Sequence, residues 1–429
     1  MKSILPKPPS PSLLLLFLSL FAGVTATASE FAIPETDEGL PGEGPIRRYG
    51  WFKRLWESKR SGWAKEVDKD QGALVFLGDS ITQGWGPKMK NSFPGVKVAN
   101  RGISGDTTRG VLIRLEEDVL SLNPSGIVLL IGTNDLEEKA DPAVIASNVK
   151  LIVNALKGHN CQMPIILCQV MPSSESKRRP ANKIRQINKL VFGQVRGDPQ
   201  ITVLDTWTLF ADEKGDAKKP EFPDLLHPNK AGYDKWAAAL RPLLATHGFI
   251  DKEEEPFEME KGYLMLFNGQ DLTGWGFRDK KTLEPIANFE GKTQSDDGRY
   301  RAISGRLVVT TPPEGRRIQQ LWTTHEFPKD FTLKLQFRAT PNADSGVFIR
   351  RPQLQCRDYA LAGPWKDLKE YRPQGWNSLV VVVKDGVAHC TCNGEVLNAE
   401  FKVPPTGPIG LEGDRGQMEY RFIRLKEVE

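Results

Sequence analysis

The chain has 429 residues, of which 39% are hydrophobic and 26% charged, and a length of this size is typical of two globular domains. Lysine and arginine total 58 against 54 for aspartate and glutamate, which gives a net charge of +4 without a long basic tract. This composition excludes a disordered chain, a collagen-like repeat and a multi-span membrane protein, and it argues against nucleic acid as a partner.

The first 28 residues are typical of a signal peptide. Early lysines give a positive start, the apolar run Leu13–Gly23 is too short for a stable membrane span, and Ala26-Thr27-Ala28 is a small-x-small cleavage pattern. We expect cleavage after Ala28, a secreted or periplasmic protein, and no stable membrane span once the segment is removed. Prolines at positions 6, 8, 9 and 11 are unusual in such a segment, so an uncleaved membrane tether is the alternative.

Residues 45–250 alternate short apolar runs with longer segments of helical spacing. The runs predict strands buried on both faces at Ala73–Leu77, Val96–Ala99, Ile127–Ile131, Ile165–Val170 and Ile201–Leu204. Helices are predicted over Arg48–Val67, Asp106–Leu122, Pro142–Leu156 and Asn182–Val195, with a last one opened by Asn229. This alternation predicts an α/β domain with a parallel sheet covered by helices on both faces.

The composition changes at Asp251, where a charged stretch without apolar residues ends in Pro256. We predict a linker over residues 251–261 and a second domain over residues 262–429. Short strands are predicted there at Leu307–Thr311, Phe331–Phe337, Gly346–Ile349, Leu379–Val383, Val387–Cys392 and Tyr420–Leu425. Asp385-Gly386 and Asn393-Gly394 are hairpin signals, so the second domain is predicted to be an all-β sandwich or jelly roll.

Neither the cysteines nor the acidic pairs predict a metal site. The five cysteines are an odd number, and none is spaced like a zinc ligand, so we expect buried thiols rather than a disulfide scaffold. Asp296-Asp297 lacks the further oxygen ligands that calcium requires and is interpreted as a solvated turn. We expect no metal and no cofactor.

Four loops at one edge of the predicted parallel sheet carry candidate catalytic residues. Ser80 stands where the first strand meets the next helix, Gly105 follows the second strand and Asn134 follows the third. Asp224 and His227 share a loop before the last helix. Because the carboxyl ends of parallel strands meet at one edge, these loops should converge. They offer a nucleophile, a base, a group that orients the base, and oxyanion donors, which an ester hydrolase needs.

In this order the Gly-Asp-Ser turn, the glycine loop, the Gly-Thr-Asn-Asp loop and the Asp-x-x-His pair resemble the four blocks of the SGNH, or GDSL, hydrolase family over about residues 45–248. The stretch from Asn100 to Leu115 is especially similar to the branch that contains platelet-activating-factor acetylhydrolase-like esterases. The resemblance implies a flavodoxin-like three-layer fold. The Gly-x-Ser-x-Gly elbow of the other large serine-hydrolase fold does not occur around Ser80.

The family resemblance also implies a role for each candidate residue. Ser80 would be the nucleophile, His227 the base and Asp224 its orienter. The oxyanion hole would consist of the backbone amides of Ser80 and Gly105 and the side-chain amide of Asn134. Taken singly, His227 is better explained as a capping or surface residue, and Asn134 is explained equally by a turn. The joint occurrence of the four blocks favours catalysis.

Residues 260–429 resemble the 3-keto-disaccharide hydrolase domain, a former domain of unknown function with a concanavalin-like sandwich. The resemblance rests on Leu266–Trp275, Ser345–Arg350, Trp376-Asn377-Ser378, Asn393-Gly394 and Gly407–Leu411. These motifs are structural turns rather than catalytic signatures. The family's usual glycine-tyrosine-glutamate run is replaced by Pro352–Gln374, so an inherited catalytic role does not carry over directly.

Four residues of the second domain are candidates for sugar binding: Arg350, Tyr359, Trp365 and Trp376. Aromatic faces stack on the apolar side of pyranose rings, and arginine binds hydroxyl groups. The alternative for each residue is a place in the core of the sandwich.

The sequence as a whole predicts an exported serine esterase that removes acetyl or another short acyl group, with a carbohydrate ester, small or polymeric, as substrate. The carbohydrate part rests on the resemblance of the second domain. Three alternatives stay open: a second domain that is the main catalyst as a glycoside hydrolase, a lysophospholipase-like lipase, and a surface protein that only binds glycans.

Overall fold

The computed structural model describes residues 30–250, 256–310 and 319–428, so the predicted signal peptide lies outside the described residues. The first domain contains the α-helices α1 Gly50–Ala64, α2 Val67–Asp70, α3 Ser80–Trp85, α4 Lys88–Ser92, α5 Thr108–Asp118, α6 Thr133–Glu137, α7 Pro142–His159, α8 Ala181–Val195, α9 Thr206–Phe210 and α10 Lys230–Thr246. Short 3₁₀ turns cover Leu120–Leu122 and Glu175–Lys177. The strands are β1 Leu74–Gly78, β2 Val98–Gly102, β3 Gly126–Leu130, β4 Ile165–Cys168 and β5 Ile201–Leu204.

The five strands form one parallel sheet in the order β2-β1-β3-β4-β5. Residues of β1 point alternately to the two faces: Leu74 and Phe76 belong to one core with side chains of α3 and α10, and Val75 and Leu77 to another with α5 and α7. The strand order matches the flavodoxin-like arrangement, whose ligands bind at the carboxyl ends of the strands. The predicted three-layer α/β fold is confirmed.

The second domain is a two-layer antiparallel sandwich. Its strands are β6 Leu264–Met265, β7 Trp275–Arg278, β8 Pro285–Asn288, β9 Tyr300–Ile303, β10 Arg306–Val309, β11 Leu321–Thr323, β12 Phe331–Ala339, β13 Asp344–Ile349, β14 Gln353–Arg357, β15 Asn377–Lys384, β16 Val387–Cys392, β17 Glu395–Lys402, β18 Ile409–Arg415 and β19 Met418–Glu427. The larger sheet has the order β17-β16-β15-β12-β19-β10-β9 with β6 beside β19, and the smaller has the order β14-β13-β18-β11-β7-β8.

Both predicted hairpins are present in the larger sheet. Asp385 and Gly386 join β15 to β16 with φ of 51° and 76°, and Asn393 and Gly394 join β16 to β17 with φ of 47° and 89°. Two consecutive positive φ angles define the turn type whose twist matches that of the strands it connects, and Asx-Gly pairs favour it. The sequence pattern missed several short strands, among them β7 and β11, because they lack a long alternating run.

The two domains contact each other at the end of α10 and at the residue before α9. The buried side chain of Gln417 donates to the Thr246 hydroxyl at 2.9 Å, and Asn342 Nδ2 donates to Asp205 Oδ2 at 2.7 Å. Part of the predicted linker, residues 251–255, lies outside the described residues. The remainder packs on the sandwich, where Phe257 stacks on Phe422 with ring centroids 4.1 Å apart. This end of the predicted linker is therefore part of the second domain's surface.

The five cysteines are all free, as expected for a chain that is not a disulfide scaffold. Cys168, Cys356, Cys390 and Cys392 are buried, whereas Cys161 is exposed, so the prediction of buried thiols was wrong for Cys161. No helix in the described ranges is both long and apolar enough to cross a bilayer.

Candidate active site

Three of the predicted site residues follow neighbouring strands of the parallel sheet. Ser80 opens α3 directly after β1, which lies between β2 and β3. Gly105 comes three residues after the end of β2, and Asn134 lies in the first turn of α6 after β3. Because the strands are parallel and in register, the structure brings the three loops to one edge of the sheet, as the sequence predicts.

Two glycines let the loop after β2 pack closely, Gly102 against the turn that carries Ser80 and Gly105 against α1. A Cβ on Gly102 would lie 2.3 Å from the backbone nitrogen of Gln83, closer than any real contact. Gly105 has φ of +89°, and a Cβ there would lie 2.7 Å from the ring of Trp51. Only glycine fits either position, since the first needs close approach and the second a left-handed backbone.

Ser80, His227 and Asp224 form one chain of hydrogen bonds. His227 Nε2 lies 3.0 Å from Ser80 Oγ, and His227 Nδ1 lies 2.7 Å from Asp224 Oδ2. Both distances are within ordinary hydrogen-bond range. With the Nδ1 proton held by the carboxylate, Nε2 is left to accept the proton of the serine hydroxyl.

The loop between Asp224 and His227 is shaped by its own backbone. Asp224 Oδ1 accepts from the backbone N–H groups of Leu226 at 3.0 Å and His227 at 2.7 Å. Leu225 has φ of +63°, a strained conformation for a branched side chain, and its carbonyl accepts from Ser173 Oγ at 2.8 Å. The loop conformation directs the Asp224 carboxylate and the His227 imidazole, three positions apart in the sequence, towards each other.

The carboxylate and the imidazole of this hydrogen-bonded chain are open to solvent. The side chains of Asp224 and His227 are each 45% exposed. Partial burial raises the pKa of the Asp224 carboxyl, but hydrogen bonds from the His227 N–H, the His227 ring and the Leu226 N–H outweigh burial and hold that pKa below its ordinary value. Asp224 is therefore a carboxylate at neutral pH.

Asn134 is held in one orientation by an arginine that the sequence analysis did not single out. Arg179 Nη2 donates to Asn134 Oδ1 at 2.9 Å, and Asn134 Nδ2 donates to the Asp106 carbonyl at 2.9 Å. Because a guanidinium only donates, the bond from Arg179 fixes which end of the amide is the donor. Arg179 lies 45 residues further along the chain, and no local motif marks it.

Asp106 and Asp135 brace the loops around the site. Asp106 Oδ2 accepts from Arg114 Nε at 2.8 Å, and both of these side chains are fully buried. Asp135 Oδ1 accepts from the Thr108 hydroxyl at 2.5 Å and from its N–H at 3.1 Å. These bonds tie the loops after β2 and β3 to α5.

Asp79, next to Ser80, is a buried carboxyl with a raised pKa. Its Oδ1 accepts from the Ile81 N–H at 2.9 Å and caps α3, while Oδ2 has no hydrogen-bond partner. Burial raises the pKa of Asp79 from 3.8 to about 7. Between these values the folded protein binds more protons than the unfolded chain, so this residue lowers the free energy of unfolding as pH rises.

We expect Asp79→Asn to remove that pH dependence, because the amide oxygen can still cap α3 and nothing is left to ionise. The displacement from 3.8 to about 7 corresponds to roughly 4 kcal/mol at most. Urea unfolding at pH 5 and pH 8 measures the part of this difference that lies above pH 5, roughly 2.7 kcal/mol at most. Wild type should lose more stability between the two pH values than the variant. Asp106 and Asp135 are present in both proteins, so their titration contributes to both measurements. Equal losses would show that Asp79 does not titrate as described.

Two family models match separate parts of the chain. Residues 76–235 match the model of the GDSL-like lipase/acylhydrolase family, and residues 262–426 match the 3-keto-alpha-glucoside-1,2-lyase-like domain. The chain joins these two domains. Both resemblances drawn from the sequence are thereby confirmed, and the first domain has the SGNH fold.

Individual relatives each match part of the chain. Platelet-activating factor acetylhydrolase IB subunit alpha1 of Rattus norvegicus is 28% identical over 196 residues, which are 44% of this chain and 82% of that protein. A putative platelet activating factor from Streptococcus pneumonia is 23% identical, covers 45% of this chain and 94% of its own, and has a TM-score of 0.42. A putative glycosyl hydrolase from Parabacteroides distasonis is 16% identical, covers 41% of this chain and 100% of its own, and has a TM-score of 0.33. The family match and the acetylhydrolase relatives support an ester-hydrolysing serine hydrolase.

The four sugar-binding candidates of the lyase-like domain do not form one accessible site. Tyr359 is fully buried and donates to the Gln355 carbonyl, so no sugar can stack on it. Arg350 is 2% exposed, and its guanidinium donates to backbone carbonyls. Trp365 packs edge-on against Tyr359 and donates to a carbonyl as well. The core interpretation explains these three residues better, whereas Trp376 lines a cleft.

The acidic pair of this domain is a turn. Asp296 pairs with Lys292 at 2.9 Å, and Asp297 accepts from the Ser295 hydroxyl at 2.6 Å. Within the described ranges, no group of three or more histidine, cysteine or acidic side chains is placed to hold a metal ion.

Proposed function

We propose that the acylhydrolase domain is an exported serine esterase that removes short acyl groups, acetyl above all, from carbohydrate esters. The observation that carries this proposal is the unbroken chain of hydrogen bonds from Asp224 through His227 to Ser80, at 2.7 and 3.0 Å. This arrangement is the one that a serine nucleophile, its base and the group that orients the base require.

In the first half of the proposed reaction, Ser80 Oγ attacks the ester carbonyl while His227 Nε2 takes the hydroxyl proton. The backbone amides of Ser80 and Gly105 and the side-chain amide of Asn134 donate to the developing oxyanion. His227 then passes its proton to the departing alcohol oxygen. The products of this half are the free alcohol and an ester between the acyl group and Ser80.

In the second half, His227 Nε2 takes a proton from water, whose oxygen attacks the carbonyl of the acyl-enzyme. The same three donors stabilise the second oxyanion. Collapse breaks the bond to Ser80 Oγ, which recovers its proton from His227. The acid is released, and the enzyme returns to its starting state. Asp224 stays ionised throughout and stabilises the imidazolium that forms in each half.

Different observations support the proposed acyl group and the proposed carbohydrate acceptor. The name of the matched acetylhydrolase relatives favours acetyl, and the fused lyase-like domain favours a carbohydrate acceptor. A panel of p-nitrophenyl esters from acetyl to dodecanoyl, with acetylated xylose and acetylated xylan, tests both. We expect acetyl to be preferred and acetate to be released from the sugars. A preference for long chains would favour the lipase alternative.

Asn134→Ala is expected to lower kcat by about 10² to 10³-fold with little change in KM, because one oxyanion donor acts mainly in the transition state. Arg179 keeps its bond to Glu137 in this variant, at 2.8 Å, so the loop should retain its support. Steady-state kinetics with p-nitrophenyl acetate measure the effect, and thermal unfolding controls for the fold. A rise in KM alone would make Asn134 a substrate contact instead.

Export rests on the sequence pattern of residues 1–28. Mass spectrometry of the mature protein from its producing cell should find a chain that begins at Ser29. A chain that keeps its first residues in a membrane fraction would favour the tether.

A further inference from the structure

Two large aromatic side chains at the start of α1 form an exposed pair. Tyr49 is 51% exposed and Trp51 is 47% exposed. Their rings stack, with centroids 6.5 Å apart and an angle of 12° between the planes. The described chain begins near the other end of α1, where the Phe31 ring lies 5.5 Å from the Arg60 guanidinium carbon. Tryptophan is highly buried in most folded proteins, so an exposed aromatic pair is a surface that a ligand can cover.

The aromatic pair, Tyr49 and Trp51, lies beside the oxyanion donors proposed for the esterase. A Cβ on Gly105 would lie 2.7 Å from Trp51 Cη2, so ordinary bond lengths place Cη2 at most about 5 Å from the Gly105 nitrogen. Tyr49 Oη donates to Glu138 Oε2 at 3.1 Å, and Glu138 directly follows α6, the helix that carries Asn134. The pair therefore borders two of the loops that form the candidate active site.

Packing holds the aromatic pair in place. Trp51 contacts the edge of Phe52, with ring centroids 5.6 Å apart. Phe52 is buried in a cluster with Ile103, which belongs to the loop after β2. Arg47 Nε donates to Glu138 Oε1 at 2.8 Å and so fixes the acceptor of the tyrosine hydroxyl. A ligand that binds a surface already in place loses less conformational entropy than one that must order it.

The polar groups beside the pair can bind hydroxyl groups. The side chain of Glu138 is 21% exposed although it accepts from Arg47 and Tyr49, and a carboxylate has about four lone-pair sites. A sugar hydroxyl could therefore still donate to Glu138. A long acyl chain laid over the same place would remove this ion pair from water without a compensating hydrogen bond, which costs free energy.

We propose that the aromatic pair is the acceptor subsite of the esterase, where the pyranose ring that carries the ester stacks on Trp51. This inference rests on the proposed function, since it takes Ser80 as the nucleophile and Gly105 as an oxyanion donor. An acetyl group has only a methyl beyond its carbonyl and cannot cover an indole, so the sugar is the half of the substrate that matches this surface. Aromatic faces stack on the apolar side of pyranose rings, and Glu138 would accept from a hydroxyl of the same ring.

The test compares a monoacetylated methyl xylopyranoside, which has a sugar ring, with ethyl acetate, which has none. Trp51→Ala should lower kcat/KM on the sugar ester, relative to kcat/KM on ethyl acetate, by about tenfold, because only the sugar loses a stacking surface. The change should lie mainly in KM. Trp51→Phe keeps an aromatic ring and should retain most of the wild-type ratio. Acid release in a pH-stat measures both rates, and thermal unfolding checks the fold.

Phe192→Ala is the matched control. Phe192 is 37% exposed and lies near the end of α8, which leads from the carboxyl end of β4 to the amino end of β5 and so away from the catalytic loops. Its ratio should equal that of wild type. A wild-type ratio in Trp51→Ala would overturn the proposal, since Trp51 would then only support the loop of Gly105. A larger fall for ethyl octanoate than for the sugar ester, each relative to ethyl acetate, would assign the pair to an acyl chain and would also overturn it.

Binding without turnover distinguishes this inference from the proposed function. In isothermal titrations, Ser80→Ala should bind the sugar ester, and the double variant Ser80→Ala/Trp51→Ala should bind it about tenfold more weakly. If wild type hydrolyses none of the esters while the titrations give this difference, the proposed function fails and the subsite stands. Equal binding by the two proteins, or binding by neither, would overturn the subsite and leave the esterase activity on ethyl acetate unaffected.

Discussion

Ser80→Ala should lower kcat for p-nitrophenyl acetate by roughly 10⁴- to 10⁶-fold, because the covalent route through the serine ester disappears. The residual rate would come from the oxyanion donors and substrate positioning alone. Ser80 is partly exposed, and among the described residues its side chain hydrogen-bonds only to His227, so the fold should not change. Stopped assays with concentrated enzyme measure the residual rate, and thermal unfolding checks the fold.

The same variant distinguishes the activity of the acylhydrolase domain from any activity of the lyase-like domain. If the lyase-like domain is itself a catalyst on 3-keto-glycosides, Ser80→Ala should cleave a 3-keto-glucoside as well as wild type does, because Ser80 lies outside that domain. Esterase activity within tenfold of wild type in a folded Ser80→Ala protein would remove Ser80 from the reaction, and the assignment of the acylhydrolase site would fail.

Asp224→Asn should lower kcat by about 10⁴-fold while leaving the loop intact. The amide oxygen can still accept from the N–H groups of Leu226 and His227, as Oδ1 does now. The NH₂ group would replace Oδ2 beside His227 Nδ1, which would then have to accept. The imidazole would carry its proton on Nε2 and could not take the proton of Ser80.

Asp224→Ala is the matched control for this effect, because it loses the loop contacts together with the carboxylate. If tautomer reversal is the cause, Asp224→Asn should unfold at the wild-type temperature yet be as inactive as Asp224→Ala. A proton chemical shift that places the ring proton on Nε2 in the asparagine variant would identify the tautomer directly. Near-normal turnover in Asp224→Asn would show that Asp224 does not orient the base.

The sequence by itself determined the architecture and the candidate catalytic set. Buried parallel strands require continuous apolar runs, and the amphipathic helices between them show the 3.6-residue period, so the α/β domain follows from the pattern. The Asx-Gly pairs determined both hairpins because few other residues accept two positive φ angles. Strand ends of a parallel sheet share an edge, so Ser80, Gly105 and Asn134 were predictable neighbours before any coordinates.

Only the tertiary structure decided which polar groups support that set and which surfaces are open. Arg179 orients Asn134 from a loop 45 residues away, and a hydrogen bond between distant segments leaves no local pattern. Tyr359 and Trp376 have the same aromatic character in the sequence, yet one is sealed in the core and the other lines a cleft. Burial depends on what the rest of the chain packs against a residue, and a local sequence pattern does not show that packing.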